Sequence, residues 1–127
     1  MSLLFLELAE VLEIHRDQID RYGGTHGIRD LNLLQSALAM PRAGSTEQYF
    51  HSDVFEMAAA HLFHLVKNHP FVDGNKRTGA VVALVFLDIN GADMRITNDA
   101  LVDLVLGVSE GRFQKDRVAE FFRTHVR

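Results

Sequence analysis

Cysteine is absent from the 127-residue chain. Disulfides and thiolate metal sites are therefore excluded, which suits a reducing compartment. No apolar run approaches the roughly 18 residues that a membrane-spanning helix needs. Basic residues are not in surplus either: 13 Lys and Arg stand against 17 Asp and Glu, for a net charge of -4. Sequence-independent binding to nucleic acid depends on such a surplus, so no direct nucleic-acid partner is expected. The opening stretch from Met1 to Glu7 lacks a basic start and turns acidic at once. A secretory signal is not expected from it, and the expected location is the cytoplasm. Repeats, low-complexity tracts and linkers are missing too. With 47% hydrophobic and 24% charged residues, the composition is that of a folded globular chain. Residues 1–127 read as one domain with a single core.

What is present is helical periodicity. Leu4, Leu8, Leu12 and His15 recur at helical spacing and predict a helix from about Leu4 to Arg21, stopped by Gly23-Gly24. Asp30 is placed to cap a second helix that carries Leu33, Leu34, Ala37 and Leu38 to about Met40, where Pro41 stops it. The segment from Pro41 to Ser52 has no period and reads as a loop or short hairpin, with Tyr49 and Phe50 near its tip. Asp53 and Glu56 have capping-box spacing before a third helix, Val54 to about Asn68, that is apolar on nearly all sides. A fourth, equally apolar helix runs from about Asn75 to Asn90. Met94 to Thr97 reads as extended, followed by helices at about Asp99 to Glu110 and Lys115 to His125. Long helices with short connections predict an all-α domain of about six helices.

Between the two apolar helices lies His69-Pro70-Phe71-Val72-Asp73-Gly74-Asn75-Lys76-Arg77-Thr78. Gly74 permits a tight turn, and the first N–H groups of the next helix form a cradle for phosphate oxygens. Asn75 suits a cap or a turn. Lys76 and Arg77 add positive charge, Arg77 through a planar fork. Asp73 offers the hard oxygens that Mg²⁺ prefers beside phosphates. His69 is a candidate base for an attacking hydroxyl, the role histidine most often takes in proton transfer. Phe71 reads as the pin that packs the loop on the core. Each of these residues alone has an ordinary structural reading: a core histidine, a common Gly-Asn turn, a solvated helix start. Their order and spacing favour phosphate chemistry.

That order, His69-x-Phe71-x-Asp73-Gly74-Asn75-x-Arg77, resembles the Fic family motif His-x-Phe-x-(Asp or Glu)-Gly-Asn-x-Arg. Lys76 points to its death-on-curing, or Doc, branch. So do Arg21-Tyr22-Gly23-Gly24, Gly27-Ile28-Arg29-Asp30 and Leu34-x-Ser36-Ala37-Leu38, which look like the N-terminal half of Doc-like proteins. The resemblance implies an all-α Fic fold with the motif loop between two central helices. It implies that His69 is the general base, that Asp73 holds Mg²⁺, and that Gly74, Asn75 and Arg77 cradle phosphates of ATP. The segment from Pro41 to Ser52 would be the flap that docks a target protein.

Most Fic proteins transfer AMP to a hydroxyl, and this sequence departs from their pattern twice. They carry Gly where Lys76 stands, and a second Arg where Ala80 stands. Doc-like proteins share both departures. For them the resemblance implies ATP bound in the reverse sense and transfer of its γ-phosphate, with a threonine of elongation factor Tu as target and translation arrest as outcome. Lys67 falls where Doc has an Arg and is a further phosphate candidate. A cognate antitoxin protein is the implied partner, since the nearest match to the family's own inhibitory motif, Ser52-x-x-x-Glu56, lies in a predicted core helix. Three alternatives stay open: AMP or other nucleotidyl transfer, an inactive nucleotide-binding module, and a metal-dependent hydrolase on His61, His64 and His69.

Overall fold

In the computed structural model, residues 3–44 and 53–127 are described. Among them are six α-helices and no named strand: α1 (Leu8–Tyr22), α2 (Leu31–Ala39), α3 (Val54–Asn68), α4 (Asn75–Ile89), α5 (Asn98–Ser109) and α6 (Lys115–Thr124). The architecture is all-α, as the periodicity predicts.

The helix ends follow local chemistry. α1 begins four residues later than its apolar spacing predicts, because Glu7 N–H donates to Glu10 Oε1 at 2.9 Å and so starts the helix there. The residues before it are bound elsewhere. Asn90, just past α4, accepts from Leu4 N and donates to Leu4 O, both at 2.9 Å. Asp30 caps α2 by accepting from Leu33 N at 3.0 Å, and Asp53 caps α3 by accepting from Glu56 N at 2.8 Å. Thr97 does the same for α5 at Ala100 N. Pro41 does not break the chain after α2. It sits in the first turn of a single 3-10 helix, Met40–Arg42, where a missing N–H does no harm. Residues 45–52, most of the expected loop or hairpin and with it Tyr49 and Phe50, lie outside the described residues.

α3 is the centre, packed along α4 and α6 and touched by α2 and α5. Its apolar side chains point into two clusters. One joins Met57, Leu62 and Val66 to Phe86 and Leu87 of α4, Leu104 and Val108 of α5, and Val118 and Phe122 of α6. The other joins Leu65 to Val11 of α1, Leu34 and Ala37 of α2, Val82 of α4 and Phe71 of the loop between α3 and α4. Phe71 is 1% exposed, so a motif residue is also a core residue. Full burial of such a side chain contributes about 1.5–3 kcal/mol, enough to fix where this loop can lie. At the far end Met94 and Val126 form an antiparallel bridge that ties the C-terminal residues to the segment before α5. Among the described residues no helix is long and apolar enough to cross a membrane.

Candidate active site

The sequence from His69 to Arg77 turns the chain between two antiparallel central helices. His69 ends α3 with φ 50 and ψ 53, the one non-glycine residue with positive φ among the described residues. Gly74 opens α4 at φ 76, and a Cβ there would lie 2.9 Å from Ile19 Cδ1, so both backbone and space call for glycine. Asn75 is buried and braces the turn from inside. Its Oδ1 accepts from Phe71 N at 2.9 Å and its Nδ2 donates to Phe71 O at 3.0 Å. Those two bonds fix the amide's orientation, so Nδ2 is also a donor toward His69 Nδ1 at 3.3 Å. In the neutral ring that contact favours the proton on Nε2. The contact is long, and giving it up costs little, about 1 kcal/mol or less. The exposed His69 ring can therefore present a bare Nε2.

Asp73 is exposed, yet its carboxylate is well held. Oδ2 accepts from Thr25 N at 3.1 Å and Oδ1 from Gly74 N at 2.9 Å. The Thr25 amide, then the Gly74 amide, hold its pKa below the ordinary carboxylate value. Each oxygen keeps a lone pair for a cation. One hard carboxylate beside an anion-binding helix end is the donor set that suits Mg²⁺ arriving with phosphates. Among the described residues no group of three or more His, Asp or Glu stands together as an all-protein metal cage.

The first turn of α4 presents its N–H groups and the positive end of its dipole beside Asp73. Lys76 is exposed on that turn. Arg77 is half-buried and docked on the end of α1: Nη2 donates to Gly23 O at 2.8 Å and Nη1 to Gln18 O at 3.3 Å. These carbonyls carry the negative end of the α1 dipole, and the Tyr22 ring lies 5.9 Å from the guanidinium. Two of its five donors are thus engaged. Lys76 and Arg77 also line a groove of about 440 Å³ whose walls continue through Tyr22, Ala80, Val81, Leu101, Val105 and Leu106. Its cationic end is the start of α4; the rest of its lining is mostly apolar, with Gln18 and Asn98 the polar exceptions. Lys67 is exposed in the last turn of α3.

A model of the Fic/DOC family matches residues 5–87. The chain belongs to the Fic/DOC family. It is 32% identical over 114 residues to the protein kinase doc of Escherichia phage P1, covering 90% of this chain and 89% of that protein. It is 41% identical over 73 residues to the toxin Doc of Mycolicibacterium smegmatis, covering 58% of this chain and 56% of that protein.

Within this Fic/DOC chain the structure brings His69, Asp73, Gly74, Asn75, Lys76 and Arg77 onto one loop and one helix start. Among the described residues His61 and His64 form no group of three with His69 that could hold a metal. His61 is 1% exposed, its Nδ1 donates to Met57 O at 2.8 Å, and its ring rests on Phe86. His64 Nε2 accepts from Lys115 Nζ at 3.2 Å. A zinc site on these residues would have to draw His61 out of the core.

Four supports of the site were missed by reasoning from the sequence. His15 reads as a core position, and it is buried. Its ring also stacks flat on Phe71, 3.8 Å centroid to centroid and 6° from parallel, and Nε2 donates to Asp73 O at 2.8 Å. Burial lowers its pKa below the ordinary value, which favours the neutral ring. The other three are Gly24, Thr25 and Arg29, all on the loop between α1 and α2. Gly24 and Arg29 fall in the segments Arg21-Tyr22-Gly23-Gly24 and Gly27-Ile28-Arg29-Asp30 that resemble Doc-like proteins, and Thr25 lies between them. Nothing in residue type reveals that the amide of Thr25 grips a carboxylate.

Proposed function

We propose that this chain, a single Fic/Doc domain, is a toxin of a toxin-antitoxin pair that acts in the cytoplasm. Its activity is that of a protein kinase, which transfers the γ-phosphate of ATP to a hydroxyl of a target protein. The observation that carries this reading is that Lys76 and Ala80 line the same groove. At Ala80 a second arginine would place charge in the groove beyond the first turn of α4. Alanine leaves that stretch apolar, flanked by Val81, Leu101 and Val105. An apolar trough suits a nucleoside better than a phosphate tail. The terminal phosphate then belongs at the cationic end, on the α4 N-terminus with Lys76 and Arg77.

In this arrangement His69 Nε2 takes the proton of the target hydroxyl. The hydroxyl oxygen forms a bond to the γ-phosphorus, the bond from that phosphorus to the β–γ bridging oxygen breaks, and ADP leaves. Asp73 would hold Mg²⁺, which supplies charge neutralisation at the phosphates. The N–H groups of Gly74 and Asn75, with Lys76 and Arg77, would hold the phosphoryl oxygens, and Lys67 adds charge nearby. Such a transfer needs positioning and charge stabilisation more than covalent chemistry. The names of the two relatives, protein kinase doc and toxin Doc, support both halves of the reading. A threonine of elongation factor Tu is the expected target, and a separately encoded antitoxin the expected partner.

The reading is tested by mass analysis of elongation factor Tu after incubation with the purified chain, ATP and Mg²⁺. Gain of one phosphoryl group is expected, and a His69→Ala chain should give none. Gain of an AMP group instead would overturn it.

A further inference from the structure

His69 holds a backbone conformation that costs a non-glycine residue about 1–2 kcal/mol, and something must hold it there. The left-handed turn at His69 has a second consequence. It aims three successive carbonyls, those of Asn68, His69 and Pro70, toward one neighbouring residue. Arg29 Nε donates to His69 O at 2.6 Å and Nη2 donates to Asn68 O at 2.8 Å. The main-chain N–H groups of Arg29 and Asp30 donate to Pro70 O at 2.7 and 3.0 Å. Converging carbonyl dipoles repel one another, and those at 68 and 69 also carry the negative end of the α3 dipole. The guanidinium offsets both effects. Its planar fork serves two carbonyls at once, which an ammonium on a flexible stem does poorly.

We propose that Arg29 is the positioning residue for His69: it locks the left-handed backbone and so aims the imidazole at the reacting hydroxyl. Arg29 touches no phosphate in this account, and its role rests on the γ-phosphate reading of the site. The side chain is exposed, so its bonds contribute little to global stability. Its removal is therefore felt at His69 and not across the fold.

The test compares the unaltered chain with Arg29→Ala and Arg29→Lys, following phosphate transfer, thermal melting and the amide-to-α-proton coupling of His69, which reports φ. Arg29→Ala should lower kcat by about tenfold to a hundredfold, as small misplacements of a reacting group do. KM for ATP and the melting temperature should stay unchanged, and the His69 coupling should leave its left-handed value. Low-millimolar guanidinium should restore part of kcat in Arg29→Ala and none in His69→Ala, and Arg29→Lys should fall between. An unchanged kcat and coupling would overturn the proposal. So would a loss of kcat that tracks the melting temperature and that guanidinium does not rescue. Should Arg29→Ala fail to fold, Arg29→Gln, which keeps one donor for the His69 carbonyl, is read by the same criteria. If the unaltered chain transfers no phosphate the kinase reading fails, while the His69 coupling still decides whether Arg29 holds that backbone.

Discussion

The loop between α3 and α4 and the loop between α1 and α2 lie side by side and are built from opposite materials. The first carries His69 and Asp73, leads into Lys76 and Arg77 on the first turn of α4, and is anchored by a buried phenylalanine. The second, residues 23–30, has three glycines at positive φ and is exposed through residue 29. Yet it reaches the motif beside His69, Asp73 and Arg77. Thr25 N holds the Asp73 carboxylate, Gly23 O receives Arg77, Gly27 O receives Val72 N, and Arg29 clasps the backbone on either side of His69. The difference teaches that the reactive groups and the groups that aim them come from separate stretches of chain. The aiming is done largely by backbone.

That contrast can be broken from either side. The largest effect belongs to the reactive side: His69→Ala removes the proposed base and should lower transfer by about 10²–10⁴-fold with the melting temperature nearly unchanged. The ring is exposed and outside the core, so lost growth arrest without lost folding is the expected cellular result. A fall in melting temperature equal to that of a core variant would contradict it. A smaller effect belongs to the supporting side. Gly24 has φ 117, and a Cβ there would lie 2.7 Å from Asp73 Oδ2. Gly24→Ala should cost about 1–2 kcal/mol in backbone strain and also displace the carboxylate, lowering transfer about tenfold. Gly91→Ala is the control, since Gly91 also has positive φ but only open space around it. It should lose stability alone; equal activity losses in both variants would refute a specific push on Asp73.

The smallest effect sharpens the comparison through pH. Burial keeps His15 neutral in the fold below the ordinary value of 6.5 at which the unfolded ring takes a proton. The unfolded chain then binds more protons, so stability is full above that value and falls as the pH drops below it. His15→Phe keeps a ring on Phe71 but removes both the titration and the bond to Asp73 O. Thermal melts on both sides of that pH should show a shallower acid slope for His15→Phe. Parallel curves would mean that His15 contributes nothing to the acid response.

Much of this was legible in the sequence because its causes are local. The bounds of α3 follow from Asp53 and a largely apolar run, and those of α4 agree with its apolar run to within one residue. The motif residues could be named because their spacing alone puts them on one turn. The start of α1 was misread because Leu4 keeps helical spacing while its backbone is bonded to Asn90, 86 residues away in sequence. The supports failed for the same reason. Gly24, Thr25 and Arg29 act across gaps of roughly forty to fifty residues; Thr25 acts through its backbone N–H and Arg29 grips backbone carbonyls, groups that every residue type shares. His15 looked like core because it is core; its polar edge is visible only once Asp73 is placed beside it.

The central claim is that the α4 N-terminus receives the terminal phosphate, with Lys76 in place and Ala80 leaving the groove apolar. It is tested most directly by incubating the chain with elongation factor Tu and ATP labelled at either the α or the γ position. The account predicts that label reaches the protein from the γ position alone, with ADP released. Label arriving from the α position, with pyrophosphate released, would contradict it.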